Sequence, residues 1–254
     1  MRYANSNPVR ILSVATAVPQ NEIFQSEIKE FATHLFGESF QDLDRLLPVF
    51  ENTQFQKRNL AKPLEWYSES HNFPDSNNAY YESALELSEK ACRKALEVAN
   101  VDPKDIGMIV FVSTTGISTP SIDSVLIQKL GLPGSTARLP IWGLGCAGGV
   151  SGLSTSAKLK RTTKKNILFV AVELCSLTFI KNDLSKSNLI ATSLFGDGAA
   201  AVVIGETGNG PEILDSHCTL FDNSSDVMGW DVVAEGLKVR FSRDVPSIVK
   251  SSMP

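Results

Sequence analysis

The sequence predicts an α/β protein whose sheet is mostly buried. Apolar, β-branched runs of strand length, such as 109–112 and 167–172, alternate with segments whose apolar residues recur at helical spacing. Of the 254 residues, 43% are hydrophobic and 20% are charged, which are the proportions of an ordinary globular protein. Alternating strands and helices in a chain of this composition are typical of the α/β class.

Turn and capping residues set the order of the predicted elements. Pro19 closes the first strand, and Asn21 is a candidate N-cap for the amphipathic helix that follows it. The polar stretch 56–78 has aromatic residues but no steady period, and we interpret it as a surface excursion. The predicted elements, in chain order, are strand 9–18, a helix through Leu35, a second helical piece 42–50, helix 78–99, strand 108–112, helix 121–130, strand 137–142, helix 147–159, strand 166–172, helix 188–194, strand 200–204, strand 211–221, extended or turning chain 230–241 and a short helix from Asp244.

Charge and hydropathy exclude several classes of protein. The formal net charge is -4, from 24 Lys and Arg residues against 28 Asp and Glu residues, and both signs are interspersed, so we expect no nucleic-acid partner. The longest apolar stretches fall far short of the roughly 20 residues that a membrane helix needs, so we expect no membrane span. The polar N-terminus shows no secretory signal, which favours a cytoplasmic protein.

The four cysteines are Cys92, Cys146, Cys175 and Cys218, and none of them shows CxxC spacing. This spacing predicts neither a disulfide scaffold nor a metal site. Each cysteine is therefore considered by itself.

Cys146 lies in the densest chemical motif of the chain, IWGLGCAGGVSGL. An apolar strand leads to it, and a helix begins immediately after it, so the unpaired N–H groups and the positive end of the helix dipole favour a thiolate. Gly145, Gly148 and Gly149 leave the approach open and let backbone amides face a reacting carbonyl. The pattern favours a catalytic nucleophile over a small buried cysteine in a tight turn.

The same glycines allow a second interpretation. Gly143, Gly145 and Gly148 fit G-x-G-x-x-G between a strand and a helix, and Glu173 ends the next strand. This is the pattern of a dinucleotide-binding turn, as in an NAD(P)-dependent oxidoreductase. It has no use for Cys146. The similar glycines of LFGDGAAAVVIG follow a helix and precede a strand, which is the wrong order for this turn.

Four segments, in this order and spacing, carry a resemblance to a known family: GCAGGVSGL, VELCSLTF, LFGDGAAAVVIG and MGWDVVAEGLKVRFSRDVP. They closely resemble the bacterial type III polyketide synthases of the chalcone synthase-like family, of the alkylpyrone and alkylresorcinol type. The resemblance implies a thiolase-like fold of layered α/β halves and a homodimer. It also implies that 1–208 form the complete N-terminal half and that 209–254 begin a truncated second half.

The chemistry that the resemblance implies is acyl transfer. A starter acyl-CoA would acylate Cys146, and decarboxylated malonyl-CoA would attack that thioester in repeated Claisen condensations. CoA thioesters are then the substrates, and no separate cofactor or metal ion is expected.

The resemblance also assigns a substrate pocket, residue by residue. Phe195 matches a phenylalanine that gates the passage between the CoA tunnel and the cavity. Cys175 and Thr178 match positions that line the pocket. Val239 stands where the family motif places a second gating phenylalanine.

Two further assignments concern the surface. Thr119 and Pro120 match a dipeptide that points into the partner subunit's cavity, although by themselves they read as a turn. Lys57 and Arg58 fall near a basic segment that holds CoA phosphates in the family. A solvated charge run is the alternative for this pair.

The family's catalytic Cys is assisted by a His and an Asn from the second half of the fold. The histidines of this chain are His34, His71 and His217, and none of them lies in a matching motif. The imidazole sustains the thiolate, and both groups donate hydrogen bonds to the thioester oxygen. We therefore expect these 254 residues alone to lack extension activity, and a non-catalytic truncated remnant stays open as an alternative.

Overall fold

The computed structural model describes residues 8–37, 39–41, 43–242 and 244–252. The strands are β1 (Arg10–Ala17), β2 (Asn21–Phe24), β3 (Lys57–Leu60), β4 (Ile106–Val112), β5 (Ala137–Ile141), β6 (Asn166–Leu174), β7 (Asp197–Gly205), β8 (Met228–Val233) and β9 (Gly236–Phe241). The α-helices are α1 (Gln25–Phe36), α2 (Pro48–Asn52), α3 (Phe73–Ala99), α4 (Asp123–Leu130), α5 (Gly148–Lys160), α6 (Lys186–Leu194) and α7 (Val245–Ser252). Short 3-10 helices cover Leu43–Arg45, Leu64–Ser68, Pro103–Asp105, Gly145–Ala147 and Cys175–Thr178. Within the described residues, no helix is both long enough and apolar enough to cross a membrane.

The chain divides into two compact units that interleave along the sequence. The first unit comprises Met1–Val18, Tyr80–Glu173 and Gly198–Thr219. The second comprises Pro19–Ala79, Leu174–Asp197 and Leu220–Pro254. The division after residue 208 that the family resemblance implies stays a prediction.

A five-stranded sheet of order β1-β7-β6-β4-β5 forms the centre of the first unit. Strand β4 pairs in parallel with both β5 and β6, and β1 pairs antiparallel with β7. Most residues of β4 and β6 are buried, which is why their sequences are continuous apolar runs rather than alternating ones.

Helix α5 packs closely on this sheet because two of its glycines have no side chain. A Cβ atom at Gly152 would lie 2.5 Å from the Phe169 ring and 2.8 Å from Val112, and one at Gly148 would lie 2.7 Å from Val112. These distances are far shorter than van der Waals contact, so a larger residue would push the helix away. The start of α5 thus lies beside Val112, the last residue of β4.

The second unit contains two antiparallel strand pairs, β2 with β3 and β8 with β9, together with α1, α2 and α6. Ile28, Ala32 and Phe36 recur at every fourth residue of α1 and form one buried face of that helix. They pack with Phe50 and Leu189 in the core of this unit.

Asn21 is not the N-cap of the first helix, and that prediction was wrong. Asn21 is the first residue of β2 and pairs with Leu60, and its side-chain amide donates to the Leu60 carbonyl at 3.1 Å. The helix begins four residues later, where the Glu27 carboxylate accepts from the Phe24 N–H at 2.8 Å. Pairing with a strand distant in sequence has overridden the local capping signal.

Two other sequence predictions also need correction. The stretch 56–78 is not only a surface excursion, because it contains β3 and the buried side chain of Tyr67. The segment 211–221 is not a strand; of the described residues in it, Glu212 forms an isolated bridge with Arg10. Ser216 donates instead to the Asp215 carboxylate at 2.7 Å, a local bond of the kind that competes with strand pairing. Residue 42, where the second helical piece was predicted to begin, lies outside the described residues.

Candidate functional site

Cys146 lies in a 3-10 turn between the end of β5 and the start of α5, and its side chain is exposed. The chain reaches it through Gly143 with φ of 88° and Gly145 with φ of 51°. Residues with a Cβ atom rarely adopt such left-handed conformations, so this turn requires glycine. The strand, turn and helix around Cys146 are thus as the sequence predicts, and its role as nucleophile stays a prediction.

The backbone amides that follow Cys146 are occupied within the turn. The N–H of Ala147 donates to the Leu144 carbonyl at 3.1 Å, and the N–H of Gly148 donates to Gly145. This differs from the expectation that these amides face a reacting carbonyl, because the 3-10 turn uses them itself.

A carboxylate in the same unit is connected to this turn by hydrogen bonds. Glu173, on β6, accepts the N–H groups of Thr114 at 3.0 Å and Thr115 at 3.1 Å and the Thr115 hydroxyl at 2.8 Å. The Thr114 hydroxyl oxygen accepts in turn from the Gly145 N–H at 3.2 Å. Burial raises the pKa of Glu173, and these hydrogen bonds act against that rise. Glu173 is thus engaged by protein donors and is not the free carboxylate that a dinucleotide-binding turn presents to a ribose.

The other cysteines differ from Cys146 in exposure. Cys92 is fully buried in α3, and burial raises the pKa of its thiol. Cys175 is partly buried, and Cys218 is exposed. Exposure therefore narrows the candidates for a reactive thiol to Cys146 and Cys218.

The second unit contains a cavity of about 40 Å³, which we call the unit-two cavity. The structure brings together around it all four residues that the resemblance assigns to a substrate pocket: Cys175, Thr178, Phe195 and Val239. The other lining residues are mostly apolar, and none of them was predicted as part of a pocket: Ile28, Phe31, Arg58, Leu60, Leu64, Tyr67, Ser176, Phe179, Asn188, Ala191 and Thr192. Most of these residues lie in segments that the sequence predicts only as one face of a helix, or in segments that show no regular pattern. Neither kind of segment indicates a pocket.

Phe195 occupies a defined place on the wall of this cavity. It follows the last residue of α6, and its ring packs edge to face on Trp230 with centroids 6.1 Å apart. The centroid of the Phe241 ring, on β9, lies 5.8 Å from that of the Phe195 ring. Strand β9 also carries the buried Val239. The β8–β9 pair thus holds the Phe195 ring from one side.

Sequence reasoning missed a buried polar network beside this cavity. The Asp197 carboxylate accepts the N–H of Ser176 at 2.9 Å, the N–H of Ala61 at 2.6 Å and the Ser176 hydroxyl. The Tyr67 hydroxyl lies 2.6 Å from the Ser176 hydroxyl. Burial raises the pKa of Asp197 to about 6 and also raises the pKa of Tyr67. The available signal was a single acidic residue within the apolar run LFGDGAAAVVIG.

Lys57 and Arg58 point in opposite directions because they are consecutive residues of β3. Lys57 is exposed and pairs with Glu22 at 2.7 Å. Arg58 is 7% exposed, and its guanidinium bonds to groups inside the unit. The interpretation as a solvated charge run is therefore wrong for Arg58, and an inward guanidinium is not placed to hold a CoA phosphate. For Lys57 that role stays a prediction.

Thr119 and Pro120 are exposed in the loop between β4 and α4, where a cis peptide bond joins them. They lie in the first unit. Their orientation toward a partner subunit stays a prediction.

Two of the three histidines, His71 and His217, contact residues close to them in the sequence. The His71 ring stacks on Trp66, with centroids 3.6 Å apart. The His217 ring lies 2.9 Å from the Thr219 hydroxyl.

Comparison with known sequences gives a consistent set of relatives. The family model for the N-terminal domain of chalcone and stilbene synthases matches residues 1–208. A Bacillus subtilis (strain 168) protein named after chalcone synthase is 44% identical over 255 residues, which cover 94% of this chain and 70% of the relative. The 1,3,6,8-tetrahydroxynaphthalene synthase of Streptomyces peucetius subsp. caesius is 33% identical over 250 residues, which cover 96% of this chain and 66% of the relative. The chain thus spans about two thirds of the length of these relatives.

Solved structures show the same fold. The 1,3,6,8-tetrahydroxynaphthalene synthase of Streptomyces coelicolor A3(2), a bacterial type III polyketide synthase, superposes with a TM-score of 0.91 at 30% identity, covering 95% of this chain and 70% of that one. The C-terminal type III polyketide synthase domain of a Dictyostelium type I/III hybrid superposes with a TM-score of 0.88 at 29% identity, covering 97% and 71%. These matches confirm the predicted thiolase-like α/β fold.

Proposed function

Because this chain belongs to the chalcone and stilbene synthase family of type III polyketide synthases, we propose that Cys146 accepts the acyl group of a starter acyl-CoA. The observation that carries this proposal is the exposed Cys146 in a glycine turn at the start of α5. No other cysteine of the described residues combines exposure with a helix N-terminus.

The proposed first step is thioester exchange. The Cys146 thiolate attacks the carbonyl carbon of the acyl-CoA, a new carbon–sulfur bond forms, and the bond to the CoA sulfur breaks. The CoA thiolate leaves and takes a proton from solvent. The positive end of the α5 dipole stabilises the attacking thiolate, and the bonds from Glu173 through Thr114 to Gly145 hold the turn in place.

The family's second step is decarboxylation of malonyl-CoA, which releases carbon dioxide and leaves an enolate carbon that attacks the enzyme thioester. That step needs hydrogen-bond donors for the developing negative charge. None of the three histidines of this chain matches the family's catalytic His. For these 254 residues we therefore propose acylation of Cys146 alone. We propose that malonyl-CoA condensation requires the family's Cys, His and Asn together.

The unit-two cavity is the proposed binding site for the apolar part of the acyl chain. Its walls are mostly aliphatic and aromatic, and the four resemblance-assigned pocket residues surround it. A volume of about 40 Å³ admits little more than a water molecule or two, so Phe195 and its neighbours must move for a chain to enter. This supports a role for Phe195 in selecting the chain.

Family membership also supports a homodimer in which Thr119 and Pro120 face the partner subunit. Both residues are exposed in the loop that precedes α4. Sedimentation of the purified chain, alone and with Thr119→Glu, tests this part of the proposal. A dimer that the Thr119→Glu change dissociates supports it, and an unaltered monomer contradicts it.

The test of acyl transfer is intact-protein mass spectrometry after incubation with hexanoyl-CoA. We expect a single acyl adduct on the wild-type protein and on Cys218→Ser, because Cys218 is exposed but lies outside any helix N-terminus. Cys146→Ser should show no adduct. An adduct that persists in Cys146→Ser and disappears in Cys218→Ser would overturn the assignment.

A further inference from the structure

Helix α6 ends without the usual glycine cap. Its last residue is Leu194, and Phe195 follows with φ of −76° and ψ of 140°, so the chain turns directly into extended backbone. The last four carbonyls of an α-helix have no partner within the helix, and in many helices a left-handed glycine satisfies some of them. In α6 the Ala191 carbonyl accepts from the Phe195 N–H at 2.9 Å, and the carbonyls that follow it need partners from elsewhere.

Two side chains from other elements supply those partners. Arg58, on β3, donates through Nη2 to the Thr192 carbonyl at 2.8 Å and through Nη1 to the Phe195 carbonyl. Gln25, at the start of α1, donates through Nε2 to the Ser193 carbonyl at 3.0 Å. The two side chains are joined to each other, because Arg58 Nε donates to Gln25 Oε1 at 3.0 Å. We call Arg58 and Gln25 the α6 clamp.

Burial and charge both strengthen the α6 clamp. Arg58 and Gln25 are each 7% exposed, so water does not compete strongly for these carbonyls. A guanidinium at a helix C-terminus also meets the negative end of the helix dipole. Burial lowers the pKa of Arg58 to about 10, and the nearby Asp197 carboxylate acts against this fall, so Arg58 remains charged at neutral pH.

The α6 clamp acts on the residue that forms the cavity wall. Phe195 is bonded to Arg58 through its own carbonyl, and its ring is packed on Trp230 and Phe241. The backbone of Phe195 is thus fixed by Arg58 while the ring is fixed by the β8–β9 pair.

We propose that Arg58 is a positioning residue, which with Gln25 holds Phe195 in the wall of the unit-two cavity and thereby limits the length of acyl chain that enters. The part that concerns acyl chains rests on the function proposed above. The part that concerns the position of Phe195 stands on the hydrogen bonds and ring contacts alone.

The test uses Trp230 as a reporter of the Phe195 ring. In a background with Trp66→Phe and Trp142→Phe, Trp230 is the one remaining tryptophan of the three in the chain. Arg58→Lys removes the planar fork, because a single ammonium group cannot reach Gln25 and both carbonyls. We expect Trp230 emission to move to longer wavelength and its quenching by acrylamide to increase, since the ring that covers it is released.

The same reporter measures acyl-chain selectivity. Octanoate and dodecanoate are titrated separately, and the ratio of their dissociation constants is compared between variants. Both probes bind the same folded population, so the ratio does not change if a substitution only lowers the fraction of folded protein. We expect Arg58→Lys to shift the ratio toward dodecanoate by about tenfold, the amount that corresponds to loss of one charged hydrogen bond. Gln25→Glu still accepts from Arg58 but can no longer donate to the Ser193 carbonyl, and it also loses the bonds from Gln25 to the Phe50 carbonyl and the Thr53 hydroxyl. It should give a smaller shift in the same direction.

Two comparisons separate positioning from a merely structural effect. Arg138→Lys removes an arginine bonded to a buried carboxylate, Asp123, in the first unit, and it should leave the ratio unchanged. In a Phe195→Ala background, Arg58→Lys should add no further shift, because the group through which it acts is gone.

Each result has one meaning. If Arg58→Lys lowers the melting temperature but leaves both the ratio and Trp230 quenching unchanged, Arg58 is only structural and the proposal is overturned. If Arg58→Lys does not fold, the Gln25→Glu ratio decides in the same way. If the wild-type protein binds neither fatty acid, the acyl site is wrong, and Trp230 quenching alone then decides whether the α6 clamp holds Phe195.

Discussion

The hydroxyl oxygen of Thr114 accepts a hydrogen bond from the backbone N–H of Gly145, at 3.2 Å, immediately before Cys146 in the chain. Thr114 is itself held by Glu173. The position of the exposed thiol therefore depends on a carboxylate 27 residues further along the chain.

We predict that Cys146 is the most rapidly alkylated of the four cysteines. It combines exposure with a helix N-terminus, which favours the reactive thiolate. Limited treatment of the folded protein with iodoacetamide, followed by peptide mapping, measures the four rates. Cys218 is the internal control for exposure alone, and faster labelling of Cys218, of the partly buried Cys175 or of the buried Cys92 contradicts the prediction.

We predict opposite effects on the free energy of unfolding for alanine substitutions at two glycines of α5. Gly152→Ala places a Cβ atom 2.5 Å from the Phe169 ring, so it should destabilise the fold by about 1–3 kcal/mol. Gly149→Ala meets no atom within 4 Å and should change the free energy of unfolding by less than about 1 kcal/mol, toward greater stability. Urea unfolding of the two variants checks the pair, and equal losses would show that α5 does not pack as described.

We predict that Asp197 makes the fold less stable as pH rises from about 4 to about 6. Burial raises its pKa from 3.8 to about 6, so the folded state holds this proton more tightly than the unfolded chain does. The stabilisation is complete below about pH 3.8 and is lost as the pH passes 6, with a total of about 3 kcal/mol. Urea unfolding at several pH values measures it.

Asp197→Asn should flatten the dependence of the unfolding free energy on pH between about pH 4 and 6. The control is Asp231→Asn, which replaces an exposed carboxylate on β8 and should leave that dependence unchanged. Glu173 adds to the wild-type slope in the same direction because burial raises its pKa too. The comparison is therefore the difference between each variant and the wild type. A difference that does not vary with pH for Asp197→Asn contradicts the prediction.

We predict that Phe195→Ala changes acyl-chain selectivity more than stability. Its ring is only partly buried, so the loss should stay below the about 3–5 kcal/mol typical of a phenylalanine in a core. The ratio of octanoate to dodecanoate affinities and the melting temperature are measured together. A large melting shift with an unchanged ratio would assign Phe195 to the core alone.

Strong local patterns made much of the first unit predictable. The continuous apolar runs of β4 and β6 and the glycine turn before α5 are read directly from neighbouring residues. The strand, turn and helix around Cys146 were predicted in the same way, because a glycine turn between a strand and a helix is a local signal, whereas its role as nucleophile stays a prediction.

The second unit was less predictable because its contacts are distant in sequence. Ser176 bonds to Asp197 across 21 residues and to Tyr67 across 109. Arg58 reaches Phe195 across 137 residues, from a short strand that has no clear alternation in the sequence. The four pocket residues were found through the family resemblance, whereas the α6 clamp needed the structure.

The stoichiometry of CoA release measures directly whether Cys146 accepts the acyl group. The protein is mixed with excess hexanoyl-CoA and then removed by ultrafiltration, because its own exposed thiols would react with a thiol reagent. CoA is measured with that reagent in the protein-free filtrate, and the acylated peptide is identified in the retained protein. We expect one equivalent of CoA per chain, with the acyl group on the peptide that contains Cys146, and no release from Cys146→Ser. Release of CoA by Cys146→Ser at the wild-type amount, or an acyl group found on another residue, would show that Cys146 is not the acyl acceptor.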